Sequence, residues 1–86
     1  MLRKLIMLIC DDKDIICDFI TNTLGKSATY VDACGAYSGE QNYIVFSTLT
    51  KKQAVDLRHF IHQNKLHAFM SVISTSEVFG KGFSAL

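Results

Sequence analysis

Apolar residues run unbroken from Leu5 to Cys10 and stop at Asp11-Asp12. Such a run suits a strand covered on at least one face and flanked by neighbours on both sides. Asp11, Asp12 and Asp14 then supply an N-cap and first-turn negative charge, which the positive end of a helix favours. Ile15, Ile16, Phe19, Ile20, Thr23 and Leu24 recur at helical spacing, and Gly25 follows as the stop. Strand-forming residues resume from Ala28 to Cys34 and again from Tyr43 to Leu49, so the intervening stretch reads as a hairpin tip. Thr50 and Gln53 have the spacing of a capping box and open a second helix reaching about Asn64. Its inward stripe is Ala54, Leu57 and Phe60 or Ile61, with Asp56, Arg58, His59, His62 and Gln63 mostly outside. A last strand, Ala68 to Ser74, precedes a short helical turn near Ser76 to Phe79.

The order β-α-β-β-α-β with right-handed crossovers predicts an α+β, ferredoxin-like sandwich. In it a four-stranded antiparallel sheet carries two helices on one face. The first and third strands are then central, and here they are the most uniformly apolar. The second and fourth, with Thr29, Asp32, Ser71 and Ser74, read as edges. With both helices on one face, the other face presents alternate residues of strands rich in apolar side chains. A surface of that kind is commonly buried against a second copy, so the chain is expected to be a homo-oligomer.

The length of 86 residues allows one domain, 1–86, with a two-layer core. Hydrophobic residues make up 49% and charged ones 20%, a globular balance. A formal net charge of +1 leaves no global basic field, and nucleic acid is not an expected partner. Cys10, Cys17 and Cys34 form no C-x-x-C pair and read as reduced thiols, two or three of them small core residues. The run from Leu5 to Cys10 is far too short to cross a bilayer, so the polypeptide as given is expected to be soluble.

Little enzymatic chemistry is legible. Asp56, His59 and His62 drift around one side of the second helix, and a solvated face explains them better than a zinc site, which needs closer facing and a fourth ligand. Asp11-Asp12 diverge as neighbours and read as capping residues. Cys34, beside a glycine, is a candidate thiol, although a buried small residue is the better reading. The chain is not expected to be an enzyme, and no cofactor or metal is assigned.

The most informative stretch is Gly35-Ala36-Tyr37-Ser38-Gly39-Glu40, where two glycines bracket an aromatic and a hydroxyl at the hairpin tip. A second glycine pair, Gly80-Lys81-Gly82-Phe83, lies near the end of the chain. Backbone N–H groups of a glycine-bearing turn form anion-holding nests, and Tyr37 is placed to stack on a base or sugar. Ser38 offers a hydroxyl and Lys81 a point charge suited to phosphate. Gly35, Tyr37, Ser38, Gly39, Gly80, Lys81, Gly82 and Phe83 are therefore the candidate binding residues for a small anionic or nucleotide-like ligand held between subunits. The competing reading makes Tyr37 and Phe83 packing anchors at an oligomer interface, with the glycines setting turns.

Gly35-Ala36-Tyr37-Ser38-Gly39, then Ala68-Phe69, then Glu77-Val78-Phe79-Gly80-Lys81-Gly82-Phe83 resembles the C-terminal cytoplasmic domain of the YitT family of bacterial membrane proteins. That domain reads G-x-Y-[ST]-G, A-F and E-V-x-G-x-G-F in the same order of elements. The resemblance covers essentially the whole chain. It implies an attached transmembrane domain, a place on the cytoplasmic face of the membrane, a fragment start at Met1, and an architecture similar to the PII-like signalling proteins. Those are ferredoxin-like trimers that bind nucleotides between subunits. The chain departs from the pattern at Ala33, where the family often has glycine, at Lys65-Leu66, where an Asp-Pro pair is usual, and at Lys81, where an acid is common. Two functions follow as expectations. One is a regulatory domain sensing a small ligand for the attached membrane part, and the other an oligomerisation module with no small ligand.

Overall fold

The computed structural model describes residues 3–75. Strand β1 spans Arg3–Cys10, starting two residues before the apolar run because Arg3 and Lys4 also pair with the neighbouring strands. Helix α1 covers Lys13–Asp18, and Asp12 caps it by accepting a hydrogen bond from the Ile15 N–H at 3.2 Å. Strands β2 (Thr29–Cys34) and β3 (Gln41–Thr50) form the expected hairpin. Helix α2 is Lys51–Gln63, and β4 is Ala68–Thr75. The sheet is antiparallel in the order β2-β3-β1-β4, which puts the two most apolar strands in the centre. The short helical turn expected near Ser76 to Phe79 lies outside the described residues.

The first helix departs from the periodic reading. Residues Phe19–Thr23 continue α1 as a π-helix, with the Leu24 N–H donating to the Phe19 carbonyl at 3.0 Å. The Thr21 hydroxyl donates to the Cys17 carbonyl at 2.9 Å, a back-bond that bends helices. The widened turn sets Phe19 flat against Phe60 of α2, ring centroids 4.1 Å apart. Gly25 then ends the segment at φ +68°, where a side chain would be strained.

The core lies between the helices and one face of the sheet. Ile6, Leu8 and Cys10 of β1 and Val45 and Leu49 of β3 meet Ile16 and Ile20 from the first helix and Ala54, Leu57 and Ile61 from α2. Ser47 is buried among them and donates its hydroxyl proton to the Ser27 carbonyl at 2.8 Å, so its polarity is satisfied. Phe60 is half-buried, leaving Ile61 as the last member of the inward stripe.

Both ends of α2 are specified locally. Thr50 and Gln53 exchange the two bonds of a capping box, at 3.2 and 3.0 Å. At the other end the Leu66 N–H donates to the Ile61 carbonyl and the Lys65 N–H to the His62 carbonyl, the pair of bonds of a Schellman motif. Its left-handed position is held by Lys65 at φ +52°, where glycine is the usual occupant. The left-handed penalty of about 1–2 kcal/mol exceeds the extra chain entropy that glycine loses, about 0.5–1 kcal/mol. Lys65→Gly should therefore raise stability by roughly 0.5–1 kcal/mol. A urea melt checks this, and a lowered midpoint would show that the lysine side chain holds the end of α2.

Candidate functional site

The hairpin tip is built by its glycines. The Gly35 N–H donates to the Glu40 carbonyl and the Gly39 N–H to the Gly35 carbonyl, both at 2.9 Å. Gly39 takes φ +73°, and a Cβ on Gly35 would come within 2.5 Å of the Ser38 Oγ. Ser38 Oγ accepts from the Glu40 N–H at 3.1 Å. The N–H groups of Gly35, Gly39 and Glu40 are thus engaged within the loop, and the feature the tip presents outward is the Tyr37 ring, with a relative exposure of 104%. The structure brings Gly35, Tyr37, Ser38 and Gly39 into one loop. Gly80, Lys81, Gly82 and Phe83 lie outside the described residues.

The sheet face away from the helices is the second feature. Register places Leu5, Met7 and Ile9 of β1 beside Thr48, Phe46 and Ile44 of β3, and beside Ile73, Ser71 and Phe69 of β4. Thr29, Val31 and Ala33 of β2 extend the same face. Phe69 is 67% exposed, Ile73 51%, Val31 44% and Leu5 37%. From Leu5 to Ile9 and across all four strands this face carries no charged residue, and Arg3 stands at its margin.

On the helix side, Lys13 reaches over two aromatic rings. Its Nζ sits 4.6 Å from the Tyr30 ring centroid and 5.1 Å from that of Tyr43, and pairs with Asp14 at 2.9 Å. The hydrogen bond that Lys13 Nζ donates to the Asp14 carboxylate holds the ammonium above its ordinary pKa. Tyr30 and Tyr43 meet edge to face at 6.3 Å. The sequence reading missed this clamp. Its signal was a pair of tyrosines on the same face of adjacent strands, and the lysine reaches them only because α1 crosses above.

The remaining candidates separate by environment. Burial pushes the Cys10 thiol up to about 11 and raises Cys17 as well, so both are protonated at neutral pH and poor nucleophiles. Cys34 corrects the expectation of burial, because it sits exposed at the end of the edge strand β2, beside the hairpin turn. Asp56 pairs with Lys52 at 3.1 Å, while His59 and His62 are exposed. Among the described residues no three His, Cys, Asp or Glu side chains converge as metal ligands do. His67 stands 3.7 Å from the Asp11 carboxylate on the surface.

Residues 26–80 match the family described as "Uncharacterized protein conserved in bacteria (DUF2179)". The chain belongs to the DUF2179 family. This family is the C-terminal domain of the YitT proteins, as the three motifs implied. Two Bacillus subtilis (strain 168) relatives are UPF0750 membrane proteins. YxkD is 26% identical over 94% of this chain, and YdeO is 28% identical over 96%. The chain spans 29% of the length of each. Among described residues no helix is long and apolar enough to cross a membrane.

Solved structures share the fold of this DUF2179 domain. The crystal structure of a DUF2179 protein from Eubacterium ventriosum superposes with a TM-score of 0.66 at 23% identity, covering 81% of this chain and 96% of its own. A functionally unknown protein from Pediococcus pentosaceus ATCC 25745 reaches 0.76 at 14% identity, covering 93% and 98%.

Proposed function

We propose that this DUF2179 domain is the assembly module of a membrane protein, joining copies on the cytoplasmic side through the open face of its sheet. The observation that carries the reading is that face. It is uncharged across all four strands and mainly apolar, with Thr29, Thr48 and Ser71 among its members, and Phe69 and Ile73 stand more than half exposed on it. An uncharged apolar surface complements a second copy of itself, and a two-fold interface requires that self-complementarity. Tethering to a membrane raises the effective concentration of neighbouring domains, so a modest intrinsic affinity suffices. Sedimentation equilibrium of the chain tests the reading. A mass that is a multiple of 9.6 kDa supports it, and a monomer at the highest soluble concentration sinks it.

The exposure of Tyr37 favours a second reading, in which the tip senses a small anionic or nucleotide-like ligand for the membrane part. A ring so exposed adds little to packing and is free to stack on a base. A thermal-shift screen with mononucleotides and cyclic dinucleotides separates the two. A ligand at a hundred times its dissociation constant adds about 2.7 kcal/mol, a shift of several degrees for a domain of this size. Tyr37→Ala should abolish that shift while leaving the unliganded melting point in place. A flat screen on a stable oligomer leaves assembly as the function.

A further inference from the structure

The formal charge of +1 conceals a separation of charge along the strand axis. Arg3 and Lys4 begin β1, opposite Thr50 and Leu49 of β3, and Lys51 and Lys52 follow at once as the start of α2. Lys26 lies at the same end, in a groove that it shares with Leu5 and Thr48. Arg58, two turns along α2, joins Lys4 and Lys51 on the rim of another groove, of about 240 Å³, floored by Ala54, Val55, Met70 and Val72. At the opposite end of the sheet, beyond Cys10 and its partner Tyr43, stand Asp11, Asp12 and Asp14, with Asp32 and Glu40 of the hairpin beside them.

The charges that run against this separation have local partners or positions of their own. Asp56, already held by Lys52, is the described carboxylate on the basic part of α2, and Asp18 lies part-way along the first helix, bonded to Asn22. At the acidic end Lys13 is held by Asp14 and the two tyrosines, and Lys65 follows the end of α2 as a second cation against the five carboxylates there. Helix α1 follows the usual charge rule, with Asp14 in its first turn, whereas α2 has no acid there and carries Lys51 and Lys52 instead. Those lysines add to the positive end of the helix dipole and strengthen the field at that end.

We propose that the end formed by Lys4, Lys26, Lys51 and Arg58 rests on the anionic phospholipid headgroups of the membrane. Two facts choose this occupant. The relatives are membrane proteins of which this chain matches 29% of the length. As a C-terminal domain it connects to the rest of such a protein through its N-terminal side, the end where β1 begins and the cations gather. Lysines close to an anionic leaflet are drawn to it within about a Debye length, roughly 8 Å at physiological salt. With this end down, the strands stand upright on the bilayer, the open sheet face points sideways toward a neighbouring copy, and Tyr37 points away from the lipid. The inference rests on family membership and the charge pattern, and does not need the assembly reading to hold.

Vesicle co-sedimentation tests it. The chain should pellet with vesicles of equal parts phosphatidylglycerol and phosphatidylcholine at low salt, and be released as salt rises. It should stay in solution with pure phosphatidylcholine. The triple variant Lys4→Gln, Lys51→Gln, Arg58→Gln should lose roughly a hundredfold in partitioning, about fivefold for each cation removed. A control with the same charge change at the other end, Gln41→Glu, Gln63→Glu, Lys65→Gln, should keep most of the binding. All six positions are exposed or half-exposed, and circular dichroism confirms that both variants fold. Failure to pellet with the anionic vesicles, equal pelleting with phosphatidylcholine alone, or equal losses in variant and control would each overturn the proposal. Sedimentation equilibrium of the triple variant reads assembly separately.

Discussion

Phe69→Glu combined with Ile73→Glu is expected to turn an associated domain into a monomer that remains folded. Both side chains are already more than half exposed in the single chain, so the monomer has little packing to lose. The cost to the fold is a fraction of strand propensity, under about 1 kcal/mol for each position. At an interface between copies the effect is far larger. A carboxylate removed from water without a partner costs several kcal/mol, and a two-fold contact doubles the number of such groups. A loss of even about 4 kcal/mol weakens association roughly a thousandfold. Sedimentation equilibrium should then report 9.6 kDa, with the circular dichroism spectrum unchanged. A double variant that retains the wild-type multimer would place the contact elsewhere, with the outward-facing backbone N–H and C=O groups of the β4 edge strand next in order.

Ile16→Ala should be the most damaging single change among the two neighbouring isoleucines of the first helix. Ile16 is fully buried between the helices and the sheet, whereas Ile15 is 42% exposed. Truncating a buried isoleucine to alanine removes its transfer free energy and leaves a cavity, a loss of about 2–5 kcal/mol. For a domain whose whole stability is of order 5–15 kcal/mol, that is a large share. The midpoint should drop by roughly 8–40 °C, taking about 4–8 °C per kcal/mol at this size. Ile15→Ala should stay within about 1 kcal/mol of wild type, because the position gives up less buried surface and gains helix propensity. Thermal unfolding of the two variants side by side checks the assignment. Similar midpoints would mean that α1 is rotated by most of a residue from the orientation described.

The hairpin illustrates how far residues alone carry the argument. Gly35 and Gly39 marked a tight tip because few other residues permit its geometry, and both are used so, one by positive φ and one by a close approach to Ser38. That the loop's own carbonyls and hydroxyl engage three of its N–H groups was not legible, since a nest and a self-bonded turn share one glycine pattern. Cys34 shows the same limit. It was read as a buried small residue on the general habit of cysteines, but whether a helix covers that end of an edge strand depends on where α1 crosses.

The order of elements, the central and edge strands, the capping box and the inward stripe of α2 were all set by local periodicity and by spacings within a few residues. Backbone geometry and side-chain direction suffice to fix such features. Family membership likewise followed from three short motifs in register. The π-turn at Phe19–Thr23, the lysine clamp over Tyr30 and Tyr43, the exposure of Phe69 and Ile73, and the parting of charge between the two ends were decided by tertiary structure. Each depends on which distant segments the crossovers bring side by side. Composition and periodicity are blind to such contacts because they describe neighbours along the chain, whereas electrostatic fields and open surfaces arise from neighbours in space.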